Sequence, residues 1–199
     1  MINYIVVPLG ELLRTTINEK EIEEVFKKFS CNRETDLENF LNNKAITYER
    51  TNFGKTHLLI DLDELKKNEK VSIIAYFTIS QKSIDISEMS KKKKRRVLGE
   101  YPGRDGLKSI PAYLIGQLGR CDQYKSEDLP GQQLLNECYH AISMAARVVG
   151  GKIVVLECRE HMFEKFYKNQ EFKKLYDNLN DENLYTLYKK IDFSEYWKG

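Results

Sequence analysis

The sequence contains few of the residues that build metal centres or disulfide frameworks. Its 199 residues include only four cysteines and three histidines. The cysteines, Cys31, Cys121, Cys138 and Cys158, are widely spaced, and no two of them form a C-x-x-C pair. Because a zinc site needs clustered ligands, this spacing predicts no metal site and four reduced, mostly buried thiols.

Long hydrophobic runs are also absent. No stretch approaches the roughly 18 to 20 apolar residues that a membrane-spanning helix needs, and the first residues lack the pattern of a secretory signal. The chain is therefore expected to be cytoplasmic, with no membrane partner. Its hydrophobic residues, 41% of the total, suffice for a folded core, and its length predicts a single domain over residues 1–199.

A large net charge is missing as well, but the total hides one basic segment. The chain has 32 basic and 30 acidic residues, a formal net charge of +2. Six basic residues are consecutive, from Lys91 to Arg96, so the remainder of the chain is mildly acidic. Such a run is either a solvated surface or a patch that binds the phosphates of a nucleic acid. The polar segment around it, at about 81–108, is expected to be an insertion in the domain.

The pattern of apolar residues predicts a mixed α/β chain. Helical spacing favours helices at 19–29, 37–45, 131–149 and 160–168, and β-branched or apolar runs favour strands at 56–62, 71–80, 110–121, 152–158 and 184–191. Asn68 and Glu69 suit a hairpin turn between the first two strands. The strand, helix and strand over 110–158 are expected to be parallel and right-handed. This order indicates one three-layer domain around a central mixed sheet.

One segment has the pattern of a phosphate-binding site. Gly116 and Gly119 lie inside a predicted strand, where glycine often marks a bulge or a ligand close to the backbone. Pro130 and Gly131 then begin a helix, and free N–H groups at a helix start bind phosphate without a basic side chain. Together these features suit a ligand with a pyrophosphate and an amide-rich arm, such as coenzyme A. The alternative is an ordinary helix start without a ligand.

The order of these motifs resembles the GNAT acyltransferase family over most of the chain. Ile110–Cys121 looks like the family's central strand, Tyr124–Gln133 like its pyrophosphate loop and Val154–Glu157 like the neighbouring strand. The segment Phe166–Phe172 is similar to the family's FYxxxGF signature. The resemblance implies the acyl-CoA N-acyltransferase fold, with a mixed, mostly antiparallel sheet and a splayed parallel strand pair.

The chain is also similar to the toxin-like branch of that family. The residues that carry this likeness are Phe29–Asn32, Leu37–Ala45, Ala75–Ser80 and Ile110–Leu118. Some members of the branch acetylate the amino group of aminoacyl-tRNA and are held by a small antitoxin. The resemblance implies transfer of an acetyl group from acetyl-CoA to a primary amine. Aminoacyl-tRNA is the candidate acceptor, and a small antitoxin or a second copy of the chain is the candidate protein partner.

A second class of function stays open at this point. The chain could be a non-catalytic protein of the same fold that binds nucleic acid or a partner protein through its basic segment. The loop departs from the family's pattern at Asp128, where a polar or basic residue is common, and at Gln133, which replaces a small residue. Gln170 is expected to stand where the family has a glycine after its tyrosine. These departures favour the non-catalytic alternative, whereas the retained tyrosine favours the enzyme.

The resemblance assigns candidate site residues. Those expected to bind acetyl-CoA are Leu118, Gly119, Arg120, Lys125, Ser126, Pro130, Gly131, Gln132 and Gln133. Tyr167 is the candidate catalytic residue, whose hydroxyl would protonate the leaving thiolate. A backbone N–H near Gly119 or Arg120 is the candidate donor to the oxyanion. No general base is identifiable, because Glu157 is equally suited to a solvated or structural role, and the alternative for Tyr167 is packing against the preceding helix.

Overall fold

The computed structural model of the chain describes residues 2–15 and 18–197. Its helices are α1 (Leu9–Thr15), α2 (Glu19–Phe26), α3 (Thr35–Asn43), α4 (Ala45–Thr51), α5 (Leu62–Asn68), α6 (Lys91–Leu98), α7 (Gly131–Val149) and α8 (Glu160–Met162), and a π-helical turn at Phe163–Tyr167 follows α8. Its strands are β1 (Tyr4–Pro8), β2 (Lys55–Asp61), β3 (Ile73–Asp85), β4 (Ser109–Arg120), β5 (Ile153–Cys158), β6 (Lys173–Lys174) and β7 (Tyr185–Lys190).

Within the described ranges, the seven strands form one sheet in the order β1-β2-β3-β4-β5-β7-β6. The β1–β2, β2–β3, β5–β7 and β6–β7 pairs are antiparallel, and the sheet includes one parallel pair. This mixed, mostly antiparallel sheet with its helices confirms the fold class predicted from the sequence. None of the helices in the described part of the chain is long and apolar enough to cross a membrane.

The chain divides into two compact units, and β3, β4 and α7 contribute residues to both. The first unit comprises the chain up to Ser80 together with Ile115–Ala141. The second comprises Gln81–Leu114 together with the chain from Ile142 onward. The candidate pyrophosphate loop therefore belongs to the first unit and Tyr167 to the second.

The core of the first unit forms around Tyr76 of β3. Its ring is fully buried, 5.3 Å from the ring of Phe29 and 6.4 Å from that of Phe40, and its hydroxyl donates to the carbonyl of Leu37 at 2.7 Å. The hydrogen bond removes the cost of burying a phenol. Helix α3 is thereby fixed to the sheet through both apolar packing and one polar contact.

The core of the second unit attaches the basic helix α6. Val97 and Leu98 at the end of α6 are buried with Ile84 of β3, Val155 of β5 and Leu175. The hydroxyl of Ser90 caps the helix by accepting the N–H of Lys93 at 3.3 Å. The six-cation run therefore belongs to an ordered helix that buries its apolar end.

The predicted hairpin between β2 and β3 is wrong, because a helix occupies that connection. Asp61 ends β2, and its carboxylate accepts the N–H groups of Asp63 and Glu64, both at 3.0 Å, which starts α5. Glu69 then reverses the chain with a left-handed φ of 51°. The strands are antiparallel as a hairpin requires, but their connection is one short capped helix.

Other boundaries also differ from the prediction. The helix expected at 37–45 is divided at Lys44, whose ψ of −30° and φ of −126° end α3 and precede α4. Strand β3 continues to Asp85, so the first residues of the expected insertion belong to the sheet. Strand β1 and helix α1 were not predicted. The end of α7 is confirmed, since Gly150 has a φ of 73° and donates its N–H to Ala146 at 2.9 Å.

Candidate active site

The loop between β4 and α7 is held from inside by Arg120. The guanidinium donates from Nε to the carbonyl of Tyr124 at 3.1 Å and from Nη1 to the carbonyl of Leu129 at 2.6 Å. The side chain of Leu129 is fully buried, and the hydroxyl of Tyr124 donates to Asp61 at 3.3 Å. Arg120 therefore braces both ends of the loop, and two of its five N–H donors are committed to backbone carbonyls.

The start of α7 presents free backbone donors. The N–H groups of Gln133 and Leu134 both bond to the carbonyl of Pro130, at 2.9 and 3.2 Å. The preceding N–H groups, of Gly131 and Gln132, therefore lie before the first intrahelical bonds and have no acceptor in the helix. Since α7 has 19 residues, its dipole adds a positive potential at this end. These two N–H groups fit a phosphate oxygen.

Asp128 is used within the loop itself. Its carboxylate accepts the N–H of Lys125 at 2.8 Å, and its carbonyl accepts the N–H of Ile2 at 3.1 Å. The departure from the family's pattern at Asp128 therefore shapes the turn and ties the loop to the segment before β1. The side chains of Lys125 and Ser126 are exposed, and the Ser126 hydroxyl donates to Glu127 at 3.1 Å.

The side chain of Gln133 faces a polar cluster of the same unit. Its amide Nε2 donates to the hydroxyl of Tyr4 at 2.8 Å, and that hydroxyl donates to Glu137 at 2.7 Å. Burial and the bond to Glu137 raise the pKa of Tyr4 to about 12. Gln133 thus fastens α7 to β1, while the exposed side chain of Gln132 bonds to Asn136 at 3.1 Å.

Packing, rather than a nearby ligand, explains the glycine at position 119. A Cβ at Gly119 would lie 2.5 Å from Cδ1 of Leu37, a separation that carbon atoms do not reach. The glycine lets β4 approach α3, and this packing accounts for its lack of a side chain without any ligand. Gly116 is exposed, and a Cβ there would be 3.9 Å from the nearest atom, the carbonyl of Thr78. Leu118, on the same strand, is half-buried.

In the second unit, Tyr167 stands at the end of the π-helical turn, where the chain forms a Schellman cap. The N–H of Lys168 reaches back five residues to the carbonyl of Phe163 at 2.9 Å, which widens the turn. The N–H of Phe172 donates to the carbonyl of Tyr167 at 3.1 Å, and the N–H of Glu171 donates to that of Lys168 at 3.1 Å. This pair of bonds defines the Schellman motif, which places Tyr167 at the third residue from the helix end.

The same cap explains the spacing of the family signature. A Schellman motif requires a left-handed residue four positions after the tyrosine and favours an apolar residue next to it. Glu171 has that conformation, with a φ of 64°, so the glycine position of the signature falls at Glu171 and the expectation for Gln170 was wrong by one residue. The ring of Phe172 lies 5.6 Å from that of Tyr167 in an edge contact, as the motif's apolar pairing requires.

The ring of Tyr167 is enclosed by aromatic neighbours. The ring of Phe166 lies 5.0 Å away, also in an edge contact, and Tyr167 itself is only 8% exposed. Two edge contacts and one backbone cap therefore determine where the phenol lies. Packing and catalysis are compatible here, because a buried ring fixes the direction of its hydroxyl.

Glu157 belongs to an ion pair. Its carboxylate lies 2.8 Å from Nζ of Lys82, and the same oxygen accepts the hydroxyl of Thr186 at 3.5 Å. These residues are on β5, β3 and β7 of the second unit. The arrangement favours the structural alternative for Glu157.

The basic run is partly buried. Lys94 is 5% exposed, and its Nζ donates to the carbonyl of Asp105 at 3.1 Å and to that of Leu107 at 2.7 Å. The exposed members of the run are Lys91, Lys92, Arg95 and Arg96. A fully solvated run is therefore excluded, since Lys94 serves the fold of the loop after α6.

The structure places the nine predicted acetyl-CoA residues on one continuous segment of the first unit, from the end of β4 to the start of α7. It also adds Ile2 and Tyr4, which hold that segment and were not predicted. The β-branched run from Tyr4 to Val7 was the available signal, but a strand at the very start was not considered. All four cysteines are free and buried, as predicted. No group of three or more potential metal ligands occurs among the described residues.

Known structures match this chain over most of its length. No protein-family model matches the chain, and no curated protein is similar to it in sequence. A structure described as a bacterial toxin superposes with a TM-score of 0.73 over 99% of this chain and 94% of its own, at 15% identity. The chain has the GNAT acyltransferase fold.

Two further GNAT-fold structures carry ligands. The toxin AtaT in complex with acetyl-methionyl-tRNAfMet has a TM-score of 0.63 at 18% identity, covering 92% of this chain and 94% of its own. A tyrosine-to-phenylalanine mutant of AtaT, bound to acetyl-CoA and to the C-terminus of the antitoxin AtaR, has a TM-score of 0.59 at 17% identity, covering 86% and 87%. At these identities the likeness extends to the fold.

Proposed function

We propose that the protein is an acetyl-CoA-dependent N-acetyltransferase that transfers an acetyl group to a primary amine. The observation that carries the proposal is the Schellman cap that fixes Tyr167. The family resemblance places the catalytic tyrosine in the FYxxxGF signature, and the cap gives a physical reason for the spacing of that signature. The GNAT fold supports the same conclusion. The non-catalytic alternative relied on the degenerate loop, and the departure at Asp128 is now accounted for by the turn it closes.

The start of α7 is proposed to hold the pyrophosphate of acetyl-CoA, which supplies the activated acetyl group when bound. The N–H groups of Gly131 and Gln132 would donate to phosphate oxygens. Arg120 keeps the loop in shape through two carbonyls, so the donors are in place before a ligand arrives. The Asp128 carboxylate already accepts one loop N–H, which reduces its repulsion of an anion.

Tyr167 is proposed to act as the general acid. A phenol carries its proton at neutral pH and can deliver it to a departing thiolate; the proton lost by the acylated nitrogen passes to water, and the phenolate regains one from water. The rings of Phe166 and Phe172 hold the phenol in one direction, which suits a proton donor that must meet one atom. An α-amine with an ordinary pKa near 8 needs little help to become the free base, so this mechanism includes no dedicated base.

Aminoacyl-tRNA is the proposed acceptor, and a small antitoxin is the proposed partner. The support is the AtaT pair of structures, one with an acetylated methionyl-tRNA and one with an antitoxin C-terminus. The exposed cations of α6 supply a surface for RNA phosphates.

Calorimetry with acetyl-CoA tests the pyrophosphate site. Gly131→Pro removes one N–H donor at the first helical position, where proline is otherwise tolerated, and Gly131→Ala keeps the donor. We expect saturable binding by the wild type and the alanine variant and about tenfold weaker binding by the proline variant, as loss of one charge-assisted hydrogen bond implies. Absence of binding at millimolar acetyl-CoA would refute the proposed activity.

Single-turnover acetylation of an aminoacyl-tRNA tests Tyr167. Tyr167→Phe should slow transfer about 100-fold and leave the affinity for acetyl-CoA nearly unchanged. Tyr176→Phe is the matched control, since its hydroxyl bonds to the carbonyl of Asp85 in the same unit at 2.8 Å. Equal rates for Tyr167→Phe and Tyr176→Phe would remove Tyr167 from the catalytic role.

A further inference from the structure

A lysine-rich cavity lies in the second unit, formed by residues that are dispersed in the sequence. Its volume is about 660 Å³. Its charged lining residues are Lys168, Lys173, Lys174, Lys189, Lys190 and Glu171. Five lysines and one glutamate give the lining a formal charge of +4, and the segments that supply them show no basic run comparable to Lys91–Arg96.

Neutral groups hold three of these lysines in position. Nζ of Lys174 lies 3.5 Å from the centre of the Tyr185 ring and 5.0 Å from that of Phe163, so aromatic faces hold this ammonium. Nζ of Lys189 donates to the carbonyl of Gln170 at 2.9 Å. Nζ of Lys190 donates to a backbone carbonyl of α6 at 3.0 Å. A carbonyl or a ring orients an ammonium without cancelling its charge, and an ammonium has three N–H donors in all.

Carboxylates neutralise little of the remaining charge. Glu171 lies 3.3 Å from Nζ of Lys189, but its side chain is 82% exposed. Glu164 pairs with Lys168 at 2.8 Å, and both side chains are more than half exposed. Exposed pairs of this kind are weak and exchange readily with another anion. Lys173 is exposed on β6.

The cavity adjoins the basic helix. The carbonyl that Lys190 binds belongs to Arg96, and the Arg96 side chain bonds to Tyr188, which lines the cavity. The exposed side chains of Lys91 and Lys92 extend the basic surface along α6. The cavity and the basic helix are therefore linked through Arg96, and together they offer cations to more than one phosphate group.

We propose that this cavity binds the phosphodiester backbone of RNA. Lysines spread over the cap after Tyr167 and over β6 and β7 suit a chain of successive phosphates, and a cavity of this size exceeds what one phosphate ion fills. The inference rests on the proposed function, because it names the surface on which an RNA substrate would be held. It adds a binding site that the six-cation run alone does not indicate.

The test is binding of full-length protein to deacylated tRNA, measured over a range of salt concentrations. The cavity variant is Lys173→Gln with Lys190→Gln, and the matched control is Lys66→Gln with Lys67→Gln, two exposed lysines of α5 whose loss changes the net charge equally. We expect the cavity variant to bind roughly 5- to 8-fold more weakly per lost phosphate contact at about 0.1 M salt, with the salt slope reduced by about 1 to 2. The control should retain the wild-type slope.

Two outcomes would overturn the proposal. One is a cavity variant with the same affinity and salt slope as the control. The other is a variant that loses binding to poly-L-glutamate but not to tRNA, which would assign the cavity to an acidic peptide. Because the assay uses deacylated tRNA without acetyl-CoA, loss of RNA binding in the cavity variant supports this inference even if acetyl-CoA fails to bind, so the two proposals fail separately.

Discussion

Replacing Glu171 with glycine should stabilise the protein. Glu171 occupies the left-handed position of the cap after Tyr167, with a φ of 64°. A side chain in this conformation crowds its own carbonyl, which glycine avoids because it has no Cβ. Both hydrogen bonds of the cap are made by backbone atoms, so Glu171→Gly leaves them in place.

The size of the gain follows from three contributions. Relief of the left-handed strain contributes about 1–2 kcal/mol, and the greater freedom of glycine in the unfolded chain offsets about 0.5–1 kcal/mol of it. The ion pair with Lys189 is lost, but with the Glu171 side chain 82% exposed it is worth only a few tenths of a kcal/mol, on the order expected for surface pairs. The net gain is about 0.2–0.7 kcal/mol, or roughly 0.5–3 °C in Tm for a chain of this length.

Thermal and urea unfolding of three variants isolates the backbone effect. Glu171→Gln removes the carboxylate but keeps the strain. Since both variants lack the ion pair with Lys189, the difference between the unfolding free energies of Glu171→Gly and Glu171→Gln contains no ion-pair contribution. Glu171→Asn should fall between them, because asparagine tolerates the left-handed region better than glutamine. A glycine variant that is no more stable than the glutamine variant would show that the cap is unstrained and that this explanation of the signature is wrong.

Three further changes test other features. Gly119→Ala should cost about 1–3 kcal/mol of unfolding free energy, because the new methyl group collides with Leu37. In a double-mutant cycle, Gly119→Ala should cost less when Leu37 is already replaced by alanine. Additive effects of the two substitutions would contradict the packing argument. Lys94→Met should cost roughly 1.5–3 kcal/mol, because two carbonyls lose a buried charged donor, whereas the exposed control Lys92→Met should change urea stability little. Burial lowers the pKa of His57 below its usual 6.5, so the unfolded chain binds the proton more readily and the free energy of unfolding should fall as the pH drops below about 6.5. Between about pH 7.5 and 5.5, the His57→Phe variant should lose less unfolding free energy than the wild type. Equal losses in the two proteins would refute this prediction.

The parts of the fold that were predicted correctly are those with a strong local signal. Helix α7 has a proline before its start, an apolar face through its length and Gly150 at its end, and it was predicted with both boundaries. Strands β4 and β5 are long apolar runs, and they too were predicted to within one residue. Each of these elements can be recognised from its own residues, because its apolar pattern and the residues at its ends predict the same secondary structure.

The parts that were missed depend on contacts that distant residues make. The one local exception is the aspartate that begins α5, which the apolar pattern assigns to the end of a strand although its carboxylate caps the N–H groups two and three residues later. The packing role of the glycine at 119 becomes visible only when Leu37, 82 positions earlier, is placed against it. The lysine cavity combines residues 168–190, whose separate lysines carry no run or period. A sequence pattern reflects the preferences of neighbouring residues, whereas the Gly119–Leu37 contact and the lysine cavity arise from tertiary packing.

The charge of the basic run also has to be counted again in the folded chain. Lys94 is buried against carbonyls, Lys93 pairs with Asp177 at 3.2 Å, and Arg95 pairs with Glu100 at 2.9 Å. Arg96 also bonds to Tyr188, so four of the six cations have partners in the fold. A variant that replaces the whole run would lose the structural lysine Lys94 along with the surface charge. Weaker RNA binding by that variant would not show whether the damaged fold or the lost charge was the cause. Only Lys91→Gln with Lys92→Gln, compared with the cavity variant, measures what the helix surface contributes to RNA binding.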